Sequence, residues 1–239
     1  MRNIRIVSEQ PPVYGRRLPR RARRTVPLLV KGAALDADEF MRRYEAMPEE
    51  CKAELIDGVV YIMASPVSYD DHGTPSMKMH TWLGIYELHT KGVEACSEST
   101  ARLGPKNVPQ PDMLLRILPE YGGSSFVQGH YLYGAPELVV EVSASTSLID
   151  SGRKREAYRR AGVKEYINWL TEAGVINWWH LKDNKYELLQ PDEDGIVRSR
   201  VFPGLWLDVQ AALSGNKAGV MRVLRRGLKS PEHRAFLKK

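Results

Sequence analysis

The run Leu138-Val139-Val140-Glu141-Val142 constrains this chain more than any other stretch. Following Pro136, its nearly unbroken apolar character reads as a strand covered on both faces, which requires a layered fold. A charge inside such a run is expensive unless it is paired or bound to a cation, so Glu141 needs a partner. Side chains alternate along a strand, so Val139 and Ser143 share the face of Glu141 while Val140 and Val142 point the other way. A turn from Ser143 to Ser147 then leads into a helix expected over about 147–161, stopping at Gly162. Asp150, Lys154 and Tyr158 fall at i, i+4 and i+8 on one face of that helix, which lets Lys154 approach Glu141.

The remaining pattern supplies the other layers. A first helix is expected at about 36–46, with Phe40, Tyr44 and Met47 on its apolar face. Asp57-Gly58 between two apolar runs is a hairpin signal. A long amphipathic helix over about 72–91 turns Met79, Trp82, Leu83, Tyr86 and Leu88 toward a core, with a stop at Gly92. Short strands are expected around 94–103 and 112–118, the second entered through Pro109 and Pro111, and 121–125 reads as loop. Strands near 165–170, 175–181 and 185–190 form a Trp- and Tyr-rich meander, and 215–238 reads as a basic helix interrupted by Gly227 and Pro231. The sum is an α/β fold: one domain with a mixed central sheet flanked by helices.

Charge divides the chain further. Residues 1–31 hold nine Lys or Arg against Glu9, and residues 215–239 hold eight against Glu232. Together these ends carry +15, so with a net charge of +6 the body between them carries −9. The division expected is a basic Pro/Arg-rich arm over 1–34, a domain over 35–212 and a basic helical tail over 213–239. Basic ends attract nucleic acid through counterion release without reading sequence, or are simply solvated. No apolar run approaches the roughly 20 residues a membrane helix needs, and the start lacks the apolar stretch of a secretory signal. Two distant cysteines, Cys51 and Cys96, argue against a disulfide framework or zinc cluster and fit a reducing cytoplasm. No phosphate-binding loop, dinucleotide fingerprint, serine-hydrolase elbow or His-Glu-x-x-His pattern occurs.

Pro111-Asp112 opens one strand and Glu141 interrupts another, so two carboxylates from neighbouring strands can form a hard-cation site. Oxygen ligands suit Mg²⁺ or Mn²⁺ better than zinc. These residues resemble the PD-(D/E)xK nuclease superfamily and, more closely, the Uma family of restriction-endonuclease-like proteins. The similar stretches are Glu54-Leu55-Ile56-Asp57-Gly58, Ala64-Ser65-Pro66, His72, Gln110-Pro111-Asp112 and Gly134-Ala135-Pro136-Glu137-Leu138-Val139-Val140-Glu141-Val142. Ser145-Thr146, Asp150, Lys154, Tyr158, Ala161-Gly162-Val163-Lys164-Glu165-Tyr166 and Val201-Phe202-Pro203-Gly204-Leu205 continue them, so the likeness spans about 36–212.

The resemblance implies a restriction-endonuclease-like domain, nucleic acid (DNA first) as substrate, and Asp112 and Glu141 as metal ligands. Glu54 would match an additional acid before the hairpin. Ser143 stands where the simplest pattern has its lysine, so that role passes to Lys154. Leu170 stands where relatives commonly have an acid, and no catalytic role falls on its strand. A homodimer is compatible with the likeness. The expected activity is endonucleolytic hydrolysis by a metal-activated water; the alternative is an inactive nuclease fold that only binds nucleic acid or partners.

Each residue also has a plainer reading. Asp112 can cap a loop–strand junction, and Glu141 can form a structural ion pair with Lys154 or Arg153. Glu54 can face solvent, Gln110 can satisfy loop backbone, and His72 after Asp70-Asp71 can be an ordinary helix-start histidine. Tyr158, like Trp169, Trp178 and Trp179, can be core, although exposed tryptophans can also stack on bases.

Overall fold

The computed structural model describes residues 26–63, 66–143 and 148–238, with 148–151 described as backbone only. Most of the expected arm, along with Ala64-Ser65, Ser145-Thr146 and the side chain of Asp150, lies outside the described residues.

Helix α1 (Ala37–Tyr44) begins where the Asp36 carboxylate accepts the Glu39 N–H at 2.8 Å, and it buries Ala37, Phe40 and Met41. Those side chains pack on a hairpin of β1 (Lys52–Ile56) and β2 (Val59–Met63), whose turn places Asp57 and Gly58 at φ 52° and 76°. Two positive φ angles in succession fit the hairpin turn that Asp-Gly favours. A π-helical turn, Tyr69–Gly73, leads into α2 (Thr74–Leu88), so the amphipathic helix starts one turn differently from the even spiral expected.

The expected strand at 94–103 is broken. β3 (Val93–Ser97) ends before Glu98, which has φ 48°, and β4 (Ala101–Arg102) joins another sheet. β5 (Met113–Ile117) is followed by a small hairpin, β6 (Phe126–Gln128) and β7 (Tyr131–Tyr133), that sequence reasoning missed. Then come β8 (Leu138–Ser143), α3 (Leu148–Ala161), β9 (Glu165–Leu170), β10 (Val175–Lys182) and β11 (Lys185–Leu188). The chain continues through β12 (Ile196–Arg198), β13 (Trp206–Asp208), α4 (Val209–Leu213), α5 (Lys217–Leu228) and α6 (Pro231–Phe236).

Six strands form the central sheet in the order β11-β10-β9-β8-β5-β3. The β8–β9 pair, joined through α3, is parallel, and the other pairs are antiparallel, so the sheet is mixed as expected. One face of β8 sends Val140 and Val142 into a core with Met79, Trp82 and Tyr86 of α2, Trp169, Trp178 and Leu224. The other face places Val139 beneath α3 with Tyr158 and Tyr166. The alternation read from the sequence is therefore the division between two layers of helices.

The C-terminal segment is helical, but without the interruption expected at Gly227. Val223 and Leu224 are buried in the fold, and α5 runs through Gly227 without interruption. That position needs glycine because a Cβ there would lie 2.2 Å from the carbonyl oxygen of Gly204. The helix breaks only before Pro231, where Ser230 caps α6. Elsewhere, the buried Glu165 carboxylate accepts bonds from Ser199 Oγ at 2.7 Å, the Arg200 N–H at 2.6 Å and Trp178 Nε1 at 3.2 Å, pinning the 199–201 segment to the sheet. Among the described residues, no helix is long and apolar enough to cross a membrane.

Candidate active site

Four expected residues meet at one place because four elements meet there. Leu55 and Val108 exchange backbone hydrogen bonds of 3.1 and 2.8 Å, which draws β1 against the segment entering β5. The Glu54 side chain, 3% exposed as a residue, consequently accepts the Gln110 N–H at 2.7 Å through Oε1. Glu54 is thus buried, not solvent-facing, and Gln110 serves loop backbone, its amide also donating to the Glu98 carbonyl at 2.9 Å.

Strand pairing between β5 and β8 ends at Met113↔Val140. Beyond that point the Val142 N–H meets no strand, and Asp112 Oδ2 accepts it at 2.7 Å. Glu141, next along β8, points under α3. Its Oε1 accepts Lys154 Nζ at 3.0 Å and the Tyr158 hydroxyl at 2.6 Å. Lys154 also reaches Glu54 Oε1 at 2.9 Å, so one ammonium bridges two strands. Arg153 donates to Tyr61 at 2.9 Å instead. Tyr158 is 1% exposed, so it is both a core aromatic and a hydrogen-bond donor at the site.

His72 is the residue that sequence reasoning undervalued. The π-helical turn is fastened to the strand ends by Thr171, whose hydroxyl donates to the Asp71 carbonyl at 2.7 Å. This brings His72 Nδ1 to 2.9 Å from the Val142 carbonyl, which can only accept, so Nδ1 holds the proton there. Nε2 then lies 3.7 Å from Asp112 Oδ1. Its place among the family-like stretches was the available signal; the spacing of a regular helix start could not reveal it. Trp169 and Trp178 lie in the core, while Trp179 stacks on Tyr166 with ring centroids 5.4 Å apart.

Burial dominates the electrostatics. Desolvation pushes the carboxyl groups of Glu54 and Glu141 up, against the pull of Lys154, and pushes Asp112 up against the Val142 N–H. Burial alone would lower the Lys154 ammonium, but Glu141 and Glu54 outweigh it and hold the proton on. Burial and the neighbouring carboxylates raise the Tyr158 phenol well above its usual range, which keeps it a neutral donor.

If all three carboxyl groups were ionised, the single ammonium would leave two negative charges, which one divalent cation would offset. Among the described residues, Asp112 Oδ1 and Glu141 Oε2 accept no hydrogen bond, so each carboxylate has one oxygen fixed by the protein and one without a donor, Oδ1 having only His72 Nε2 at 3.7 Å. No three His, Cys, Asp or Glu side chains among the described residues converge as a ligand set. Two carboxylates nevertheless fit Mg²⁺, which keeps several waters and takes one or two protein oxygens.

The profile of a family described as "Uma2: Putative restriction endonuclease" matches residues 37–210. Among solved structures, the chain is similar to one from Anabaena variabilis described as "a putative nuclease belonging to DUF820". The TM-score is 0.55 at 13% identity, over 72% of this chain and 96% of the other, a likeness of fold alone. No curated protein matches. The mixed sheet and its helices form a single restriction-endonuclease-like domain.

Proposed function

This chain belongs to the Uma2 family, and on that premise we propose that it is a Mg²⁺-dependent nuclease, with Mn²⁺ as substitute, that hydrolyses phosphodiester bonds in DNA. The observation that supports this reading is the convergence of Lys154 on Glu141 and Glu54, beside Asp112, with one oxygen on each proposed ligand that accepts no hydrogen bond. Asp112 and Glu141 would hold the cation through Oδ1 and Oε2. When bound, the cation lowers the pKa of coordinated water and polarises a phosphoryl oxygen.

The protein's own groups do the positioning. The Val142 N–H fixes Asp112, and Tyr158 with Lys154 fixes Glu141, so neither carboxylate must reorganise during reaction. Lys154 stays protonated and so acts as a charge beside the phosphate, not as a base. Glu54 holds that ammonium in line. His72 steadies the Val142 carbonyl and faces the outer oxygen of Asp112. The basic N-terminal segment would add phosphate contacts that read no sequence.

Incubation of the purified protein with plasmid and single-stranded DNA, in Mg²⁺ and in EDTA, tests the proposal. Cleavage in Mg²⁺ that disappears in EDTA and in D112N and E141Q is expected. No cleavage of DNA or RNA in Mg²⁺ or Mn²⁺ overturns it. The Lys154–Glu141 bond also suits a second reading, an inactive fold that only binds nucleic acid, because a structural ion pair has the same geometry. Salt-sensitive binding without cleavage would identify that case.

A further inference from the structure

Beside the carboxylates, on the same face of the sheet, lies a pocket of about 140 Å³ between α3 and strands β9 and β10. Asn168 and Asn177 are among its lining residues, with Tyr166, Trp179, Gly152 and Arg155. The strand register ties it to the site, since Asn168 is the partner of Glu141 and Asn177 is the partner of Asn168. Adjacent strands lie about 4.8 Å apart, so the two amides stand roughly 5 and 10 Å from the Glu141 backbone.

The pocket has a polar floor with hydrogen-bonding groups left unused. Asn168 is 3% exposed, and its Oδ1 accepts the Ser143 hydroxyl at 3.2 Å. Among the described residues, its amide NH₂ and the whole Asn177 amide make no hydrogen bond. Asn168 is buried and Asn177 half-buried, and with these groups open to the pocket the two amides offer donors and acceptors in one row. The walls include flat groups: Trp179 stacks on Tyr166 with planes 13° apart, and the Arg155 guanidinium lies 5.0 Å from the Trp179 ring centroid. A Cβ on Gly152 would meet nothing within 4 Å, so helix α3 leaves space there.

Size narrows the ligand class. The volume exceeds the roughly 30 Å³ share of a water, and it is below the ~300–1,000 Å³ of sites for drug-sized molecules. One flat heterocycle with donors and acceptors on its edge fits both the volume and the amides, as asparagine does when it pairs with a base edge. We propose that the Asn168–Asn177 pocket holds one nucleobase of the nucleic acid, from a nucleotide flanking the phosphate bound at Asp112 and Glu141. The proposal rests on the nuclease reading, since that reading puts a phosphate one strand away. Arg155 at the rim would meet the sugar–phosphate of the same nucleotide.

The test uses the full chain and a short single-stranded DNA in which an abasic site is moved one position at a time. Binding is followed by fluorescence anisotropy with Ca²⁺ in place of Mg²⁺. One abasic position should weaken binding about tenfold, and N177A, or N177S if the first variant folds poorly, should remove that position's effect while leaving binding of the abasic strand unchanged. Equal affinity at every abasic position, no binding of any strand, or a positional effect that survives in both variants overturns the pocket. Cleavage in Mg²⁺ is measured separately: positional sensitivity without cleavage keeps the pocket and removes the nuclease reading, and cleavage without sensitivity does the reverse.

Discussion

Asp112 is fastened to Val142, the residue next to Glu141: its Oδ2 accepts the Val142 N–H at 2.7 Å, one step beyond the last β5–β8 pair. A side chain here completes a ladder that the backbone leaves open, and the two proposed ligands are thereby set relative to each other by main chain. D112N keeps an acceptor for that N–H, whereas D112A leaves it unpaired at a cost of about 1–3 kcal/mol. Urea denaturation should find D112A less stable than D112N by that amount, while both lose cation-dependent cleavage. Equal stability of the two would remove the positioning argument.

Lys154 should matter to stability as much as to chemistry. Replacing it with methionine leaves Glu54 and Glu141 buried without their shared cation, a situation that costs about 3–5 kcal/mol. A chemical denaturation midpoint for K154M indistinguishable from the parent would show that the bridge is not formed. The double variant K154M/E54Q should recover part of the loss, since it removes one of the stranded charges.

Cation binding should raise thermal stability. A ligand that binds only the folded state at a hundred times its Kd adds about 2.7 kcal/mol, so Mg²⁺ or Mn²⁺ should shift the melting temperature upward in a concentration-dependent way. E141Q and D112N should lose the shift. A shift of equal size in both variants would place the cation elsewhere.

How much of this was legible in the sequence depends on what each residue had to report. Glu141 announced itself because a lone acid in an apolar run has few affordable explanations, and Lys154 followed from helical spacing. Asp57-Gly58 fixed its hairpin through backbone conformation alone. His72 was not legible as a neighbour of Asp112, because its position comes from a π-helical turn held by a residue about a hundred positions away. Asn168 and Asn177 gave no signal, since their partnership exists only in strand register. The docking of α5 was hidden by its basic exposed residues, which outnumber the buried Val223 and Leu224 that seat it.

Glu165 gives the fold a pH dependence of its own. Burial pushes its carboxyl up to about 7 despite its donors. The folded-state value lies above the ordinary 4.5, so this group's contribution is full below about pH 4.5 and is lost as pH rises through 7. The loss is on the order of 3 kcal/mol, from 1.36 kcal/mol per unit. Melting curves between pH 4.5 and 8 should show stability declining across that window, with a shallower decline in E165Q. An unchanged slope in E165Q would assign the decline to other carboxyls.

Gly227→Ala tests the seat of α5. The added methyl would lie 2.2 Å from the Gly204 oxygen, and forcing the two segments apart should cost about 1–3 kcal/mol. Denaturation of G227A against G215A, where a Cβ meets nothing but φ is 73°, separates collision from backbone strain.

The order of the central sheet has a consequence for how copies of the molecule behave in a crowd. Its two outer strands, β11 and β3, are only four and five residues long. One offers Lys185 and Glu187 on its exposed border, and the other carries Glu94 tied to Arg116 at 2.6 Å. Short, charged borders resist the addition of a foreign strand. Growth of the central sheet by a foreign strand therefore has little to template on, and the exposed apolar edge of β6, with Phe126 and Val127, is a border left open to one.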